Sequence, residues 1–145
     1  MPYLRAPIGG DGPVIDLRVW VDRAEAHAMI AQGMVIPPAQ TVRALIDTGA
    51  DLSAVHPLVL TQLGVPSTGA VRIRRPGSGQ TYRSAPLFDT RLAFGGVQMG
   101  AVWISLSIVG IVPSTPGVLA IIGRDLLRSC LFQYDGFRSE FLLLY

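Results

Sequence analysis

The sequence predicts an all-β domain, a mostly antiparallel sheet closed or folded over into a barrel, with one or two short helices. Three observations predict it. Apolar and polar residues alternate with a period of two through most of the chain, the pattern of half-buried strands. The alternating runs are short and are punctuated by glycine and proline, 16 and 11 of the 145 residues, as in hairpin-connected barrels. Half of the residues are hydrophobic, enough for a chain of this length to bury one core of ordinary domain size. No internal repeat or composition shift divides residues 1–145, so a single domain is expected.

Taken in order, residues 14–21 place Ile15, Leu17, Val19 and Val21 on one face of a strand. Residues 24–32 suit a helix stopped by Gly33, and the following stretch with Pro37 and Pro38 is a connector. Residues 22–39 therefore read as an insertion between two strands. Residues 41–46 put Val42, Ala44 and Ile46 on one face. Residues 57–63 suit a short helix, with Pro57 at its first position and Gly64 past its end. Two strand-like arms, 71–74 and 81–84, flank the turn-rich stretch 75–80. Phe88, Thr90, Leu92 and Phe94 share a face, with Asp89 and Arg91 opposite and Gly95-Gly96 as a hairpin turn. Val102, Ile104, Leu106 and Ile108 form the next strand face. Residues 119–122 and 131–134 are buried strands, with a short helix over 124–129 between them. Residues 141–145 form a terminal apolar strand with no obvious partner in sequence.

Composition narrows the function classes. The formal net charge is +2 and the isoelectric point about 9.1, too mild to argue for nucleic acid. The basic run Arg72-Ile73-Arg74-Arg75 reads as a solvated hairpin rather than a phosphate site. Cys130 is alone, which excludes an intrachain disulfide and a cysteine metal cluster; between leucines, it reads as a small buried core residue. His27 and His56 have no ligand partners and read as structural, so neither metal nor cofactor is expected. Ser53, Ser78 and Ser84 lack the context of a nucleophile elbow. Gly77-Ser78-Gly79 lacks the third glycine of a dinucleotide loop. Trp20 and Trp103 read as core or interface residues. Residues 101–123 are nearly uncharged and long enough to span a bilayer. Pro113, Pro116, Gly110, Gly117 and Gly123 break them up, so they read as two buried strands and a loop. Residues 1–12 lack the apolar stretch of a signal peptide. The chain is expected to be cytoplasmic or a domain of a longer protein, which leaves room for a membrane anchor outside it. Only 15% of residues are charged and the mean hydropathy is +0.43. That apolar excess points to surface buried against another subunit or to membrane proximity.

The chemistry concentrates in two motifs. The apolar run 42–46 ends in Asp47-Thr48-Gly49, followed by Ala50 and Asp51. A carboxylate at the mouth of an apolar strand is partly desolvated, and two such carboxylates held together share one proton. The pair then offers an acid and a base at once, which suits activating water against an amide carbonyl. By itself Asp-Thr-Gly reads as a plain turn; the strand before it, the small residue after it and then Asp51 favour the chemical reading. Downstream, Ile121-Ile122-Gly123-Arg124-Asp125-Leu126-Leu127 runs from a strand into a helix through glycine.

"ALIDTGAD" and "IIGRDLL", in this order and about seventy residues apart, resemble the retropepsin-like aspartic proteases. The likeness extends over roughly residues 14–134 and is weak before Gln40. It implies a barrel of the retropepsin type and a metal- and cofactor-free endopeptidase. Asp47 resembles the catalytic aspartate, Thr48 the threonine that bonds across the dimer axis, and Gly49 the glycine whose carbonyl touches substrate. Ala50 and Asp51 match substrate-contacting positions. Asp51 is expected to form a buried ion pair with Arg124, with Gly123 and Asp125 supporting the site. A hairpin flap is implied over 75–80, with Gly77, Ser78 and Gly79 as substrate-facing residues, although its tip is less apolar than in retroviral flaps. Phe88-Asp89-Thr90-Arg91 and Asp135-Gly136 do not complete a second motif. One motif per chain implies a homodimer in which each subunit donates one Asp47, with the terminal strands, residues 2–6 and 141–145, pairing across it. The expected partners are a second copy and a polypeptide substrate. The alternative is a catalytically weak or inactive retropepsin-fold module for dimerisation or peptide binding, suggested by the atypical flap and the insertion.

Overall fold

The computed structural model describes residues 1–74, 79, 81–95 and 101–145. Ten strands and three helices follow one another along them. They are β1 (Tyr3–Pro7), β2 (Val14–Val21), α1 (Arg23–Ala31), β3 (Gln40–Ile46), β4 (Ala54–Val55), α2 (Pro57–Leu63), β5 (Gly69–Arg74) and β6 (Tyr82–Phe94). β7 (Ile104–Gly110), β8 (Ala120–Ile122), α3 (Arg124–Leu127), β9 (Leu131–Asp135) and β10 (Glu140–Leu144) complete the order.

The alternating faces set the pairing. β2 lies antiparallel to both β3 and β6, with Leu17 opposite Val42 on one side and Phe94 on the other. Ile15, Leu17, Val19 and Val21 all point into one core with Val42, Ala44, Ile46, Leu92 and Ile108. Burying each larger apolar side chain is worth roughly 1.5–3 kcal/mol, and a slip of one residue would turn a whole face outward, so the register is strongly specified. The chain of neighbours β2–β3–β8–β4–β7–β6 returns to β2, which closes a barrel, and β5 adds to the outside of β6. Thr90 is fully buried within this sheet, and its hydroxyl donates to Leu106 O at 3.3 Å.

The sheet departs from pure antiparallel pairing at one place. β8 inserts between β3 and β4, parallel to the former and antiparallel to the latter, while β4 runs parallel to β7. The two-residue β4 is too short to carry a period and escaped the sequence pattern. The arms expected at 81–84 and 88–94 belong to one continuous strand, β6, which runs through Pro86. β7 runs two residues later than the pattern placed it.

The ends of the chain correct an expectation. β1 and β10 pair with each other within one chain, Tyr3 opposite Leu144, and β9 lines the other side of β10. The terminal apolar strand thus has two partners, and pairing across a dimer is not how these edges are first satisfied. Phe141 and Leu143 of β10 are fully buried against the barrel core.

The helices are held by local chemistry. Asp22 caps α1 by accepting from Ala24 N–H at 3.2 Å, and Ala26 and Met29 are its buried residues. His56 caps α2 through Nδ1, which accepts from Leu58 N–H at 3.1 Å; Gly64 ends the helix in the left-handed region at φ 67°. The Trp20 and Trp103 rings meet at a tilt of 46°, with centroids 5.5 Å apart. Arg18 lies over Trp103 and Arg91 over Trp20, and the Trp20 indole N–H donates to Pro37 O at 2.7 Å, tying the connector to the barrel. Cys130, expected in the core, is half-buried at its margin. Burial pushes its thiol up, which disfavours the thiolate. Among the described residues no helix is long and apolar enough to cross a membrane; within 101–123 lie β7, β8 and the loop between them.

Candidate active site

Because β3 and β8 are parallel neighbours, Leu45 opposite Ile121 and Ile46 opposite Ile122, their C-terminal ends leave the barrel side by side. Asp47-Thr48-Gly49 follows one strand and Gly123-Arg124-Asp125 follows the other. Asp47 N–H donates to Ile122 O at 3.0 Å, and Ala50 N–H closes the turn on Asp47 O at 3.1 Å. Gly49 N–H donates to Asp47 Oδ1 at 2.9 Å. A Cβ at position 49 would lie 3.1 Å from that oxygen, so glycine leaves the carboxylate its room. Asp47 and Ala50 are half-buried, while Thr48, Gly49 and Asp51 are exposed.

The second motif clamps the first. Arg124 N–H donates to Ala50 O at 2.9 Å and Asp125 N–H to Asp51 O at 3.2 Å. Gly123 is buried against the backbone at Leu52, where a Cβ would meet Leu52 C at 2.6 Å. Any side chain there would force the two turns apart. The Arg124 guanidinium bonds the Asp51 carboxylate, as the motifs imply. The pair is not buried, however: the two side chains are 61% and 79% exposed. The turns that carry them project from the barrel end, and an exposed pair of this kind contributes little to the stability of one chain.

The residue that sequence reasoning set aside is Ser53. It is 1% exposed. Its N–H donates to both carboxylate oxygens of Asp125 at 2.9 Å and its hydroxyl to Oδ1 at 2.6 Å. The same hydroxyl accepts from Gly123 N–H at 3.0 Å. Asp125 also accepts from Leu126 N–H at 2.8 Å. Ser53 and Asp125 therefore lock the two turns together behind Asp47. The signal that points to it is the acid of the second motif, which needs donors facing it from the first.

Beside the turns, on the outer side of the barrel, a second apolar cluster forms. Ala54, Ala85 and Val109 are buried there, with Leu52, Val71, Ile73, Leu87, Ile111 and Ile121 packed around them. Ala120 and Ile122 face the barrel core, so the alternation of β8 sends Ile121 to this outer side. β5 and β6 contribute Val71, Ile73, Ala85 and Leu87 to this cluster. Of the substrate-facing residues expected at the tip of their hairpin, Gly77 and Ser78 lie outside the described residues. Gly79 is exposed at φ 67°, and its carbonyl accepts from Arg74 Nε at 3.2 Å. No group of three His, Cys, Asp or Glu side chains among the described residues is placed to hold a metal ion.

A closed barrel with one strand threaded between two others, ending in an Asp-Thr-Gly turn against a Gly-Arg-Asp turn, is the retropepsin-like aspartic protease fold. Among solved structures the chain is similar to a retropepsin-like aspartic protease from Rickettsia conorii, with a TM-score of 0.57 and 14% identity over 99% of this chain and 91% of that one. At that identity the likeness is one of fold. No protein-family model matches the sequence, and no curated protein matches it.

Proposed function

We propose that the chain is an aspartic endopeptidase that works as a homodimer, each subunit donating one Asp47. The observation that carries this reading is the clamp around Asp47: its turn is pinned by Ile122 O, Gly49 N–H and the Arg124–Ala50 backbone bond. Positioning of this kind serves a reacting group more than a turn. One Asp-Thr-Gly per chain leaves the second carboxylate to the partner. With one proton shared between the two, the ionised Asp47 takes a proton from the water as it attacks the peptide carbonyl. The protonated Asp47 gives its proton to the carbonyl oxygen. Collapse of the tetrahedral diol then moves a proton to the amine leaving group. Exposed Thr48, Gly49 and Asp51 are available to the partner and to extended substrate backbone.

Asp47→Asn removes the ionisable group while keeping its shape. Its kcat/KM on a cleaved peptide is expected to fall by at least about a thousandfold, with the same sedimentation as the wild type. Cleavage by the variant at the wild-type rate would falsify the mechanism. Stoichiometric peptide binding by the wild type, with no cleavage between about pH 3 and 8, would favour the non-catalytic module instead.

A further inference from the structure

The β5–β6 hairpin has two chemically distinct faces. Between positions 69 and 87 the sequence holds four arginines, Arg72, Arg74, Arg75 and Arg83, and no acidic residue. The whole chain has a net charge of only +2, so positive charge is gathered on this arm and offset elsewhere. Residues directly opposite in an antiparallel pair share a face. Arg72 pairs with Ser84 and Arg74 with Tyr82 on the outward face. Both outward arginines are engaged: the Arg72 guanidinium lies 5.0 Å from the Tyr82 ring centre, and Arg74 Nε is bonded to Gly79 O.

Arg83 is different. It pairs with Ile73, and Ile73 packs on the outer apolar cluster. One step along the same face of β6, Ala85 is buried in that cluster. Arg83 is thus on the inward face, about 6.5 Å beyond Ala85 along the strand, at the rim of an apolar patch that includes Leu52 and Ile121 beside the two motif turns. Arg83 is exposed, and its side chain takes part in none of the ion pairs or side-chain hydrogen bonds among the described residues.

We infer that Arg83 is a specificity-determining residue at the rim of this patch, selecting polypeptide segments that carry an Asp or Glu side chain flanking an apolar one. The apolar side chain packs on the patch of Leu52, Ile73, Ile111 and Ile121, and the acid meets the Arg83 guanidinium at its rim. A guanidinium donates two parallel hydrogen bonds to a carboxylate, an arrangement that a glutamine side chain cannot reproduce. This rests on the peptidase reading only for its catalytic readout; the binding preference stands without it.

The test uses matched peptides with an apolar centre, scanned with Glu or Gln at each flanking position. Cleavage by the wild type and binding to Asp47→Asn by fluorescence anisotropy are measured in parallel. At one position the Glu peptide is expected to be favoured roughly threefold to tenfold in kcat/KM or in affinity, less at high salt. Arg83→Gln should bring that ratio to about one and Arg83→Glu should invert it, whereas Arg72→Gln/Arg74→Gln should keep it at the same position. A ratio near one at every position with peptides still cleaved overturns the inference and leaves the peptidase reading intact. Absence of cleavage overturns the peptidase reading, and the binding ratio then decides the inference alone: equal binding, or none, overturns it. A ratio lost in the outward double variant but kept in Arg83→Gln overturns it as well. Circular dichroism of each variant checks folding, which the exposure of all three arginines favours.

Discussion

Ser53 shows how one small polar residue can carry a site without touching substrate. Its hydroxyl is both a donor to Asp125 and an acceptor for Gly123 N–H, in a place closed to water. Ser53→Ala leaves the Gly123 N–H buried without its acceptor and removes one donor from Asp125. We expect it to lower stability by about 1–3 kcal/mol, read as a lower urea midpoint with an unchanged slope. Activity should fall with it, because the second turn loses its fixed distance from Asp47. An unchanged midpoint would show that the two turns are held by their backbone bonds alone. Asp47, Gly49, Gly123 and Arg124 were legible in the sequence because each belongs to a short motif with a chemical reason. Ser53 was not, since nothing local distinguishes a serine that bonds a residue 72 positions away from one in a loop. The exposure of the Asp51–Arg124 pair was hidden for the same reason: a motif shows who pairs, and burial depends on what covers them.

Among the elements, the long strands were the most legible, because their faces repeat with period two and have a core to face. β4 was missed because two residues carry no period. The joining of 81–84 to 88–94 was missed because Pro86, exposed and tolerated in the ladder, reads as a break. Helix α1 offers the element-scale prediction. Burial by itself raises the pKa of its cap, Asp22, but the hydrogen bonds from Ala24 N–H, the Ser105 hydroxyl and Arg23 N–H, with the nearby Arg91 charge, outweigh it and hold the carboxyl below its usual value of 3.8. A carboxyl depressed in the folded state gives stability that is present above the unfolded value and is lost as pH falls through the folded one. The protection of α1 amides, taken relative to the intrinsic exchange rate at each pH, is therefore expected to fall below about pH 4 before that of the barrel strands. Asp22→Asn should remove that pH dependence. Equal acid sensitivity in the variant would mean that the cap does not report through this helix.

At the scale of the whole molecule, the barrel closes on itself while β1, β5 and β9 remain edge strands among the described residues, and the large apolar side chains exposed on β1 and β9 are Tyr3, Leu131 and Tyr134. If two Asp47 residues are needed per site, specific activity must depend on concentration. We expect it to fall steeply on dilution, tracking the loss of dimer in sedimentation, and to be restored on concentrating the sample. Specific activity that stays constant through the monomer range would place a complete site in one chain. The barrel itself was readable from alternation and turn residues, whereas the threading of β8 between β3 and β4 was not, because parallel neighbours far apart in sequence leave no local mark. Nor was the β1–β10 pairing, which has a practical consequence. Tyr145 N–H donates to Pro2 O at 3.1 Å, so the two ends of this chain are neighbours in space. A linker of a few glycines and serines would join them, and the circle could be reopened at an exposed connector such as Gly33. That circular permutant would keep every strand of the barrel in place while moving the chain's termini to the α1 connector.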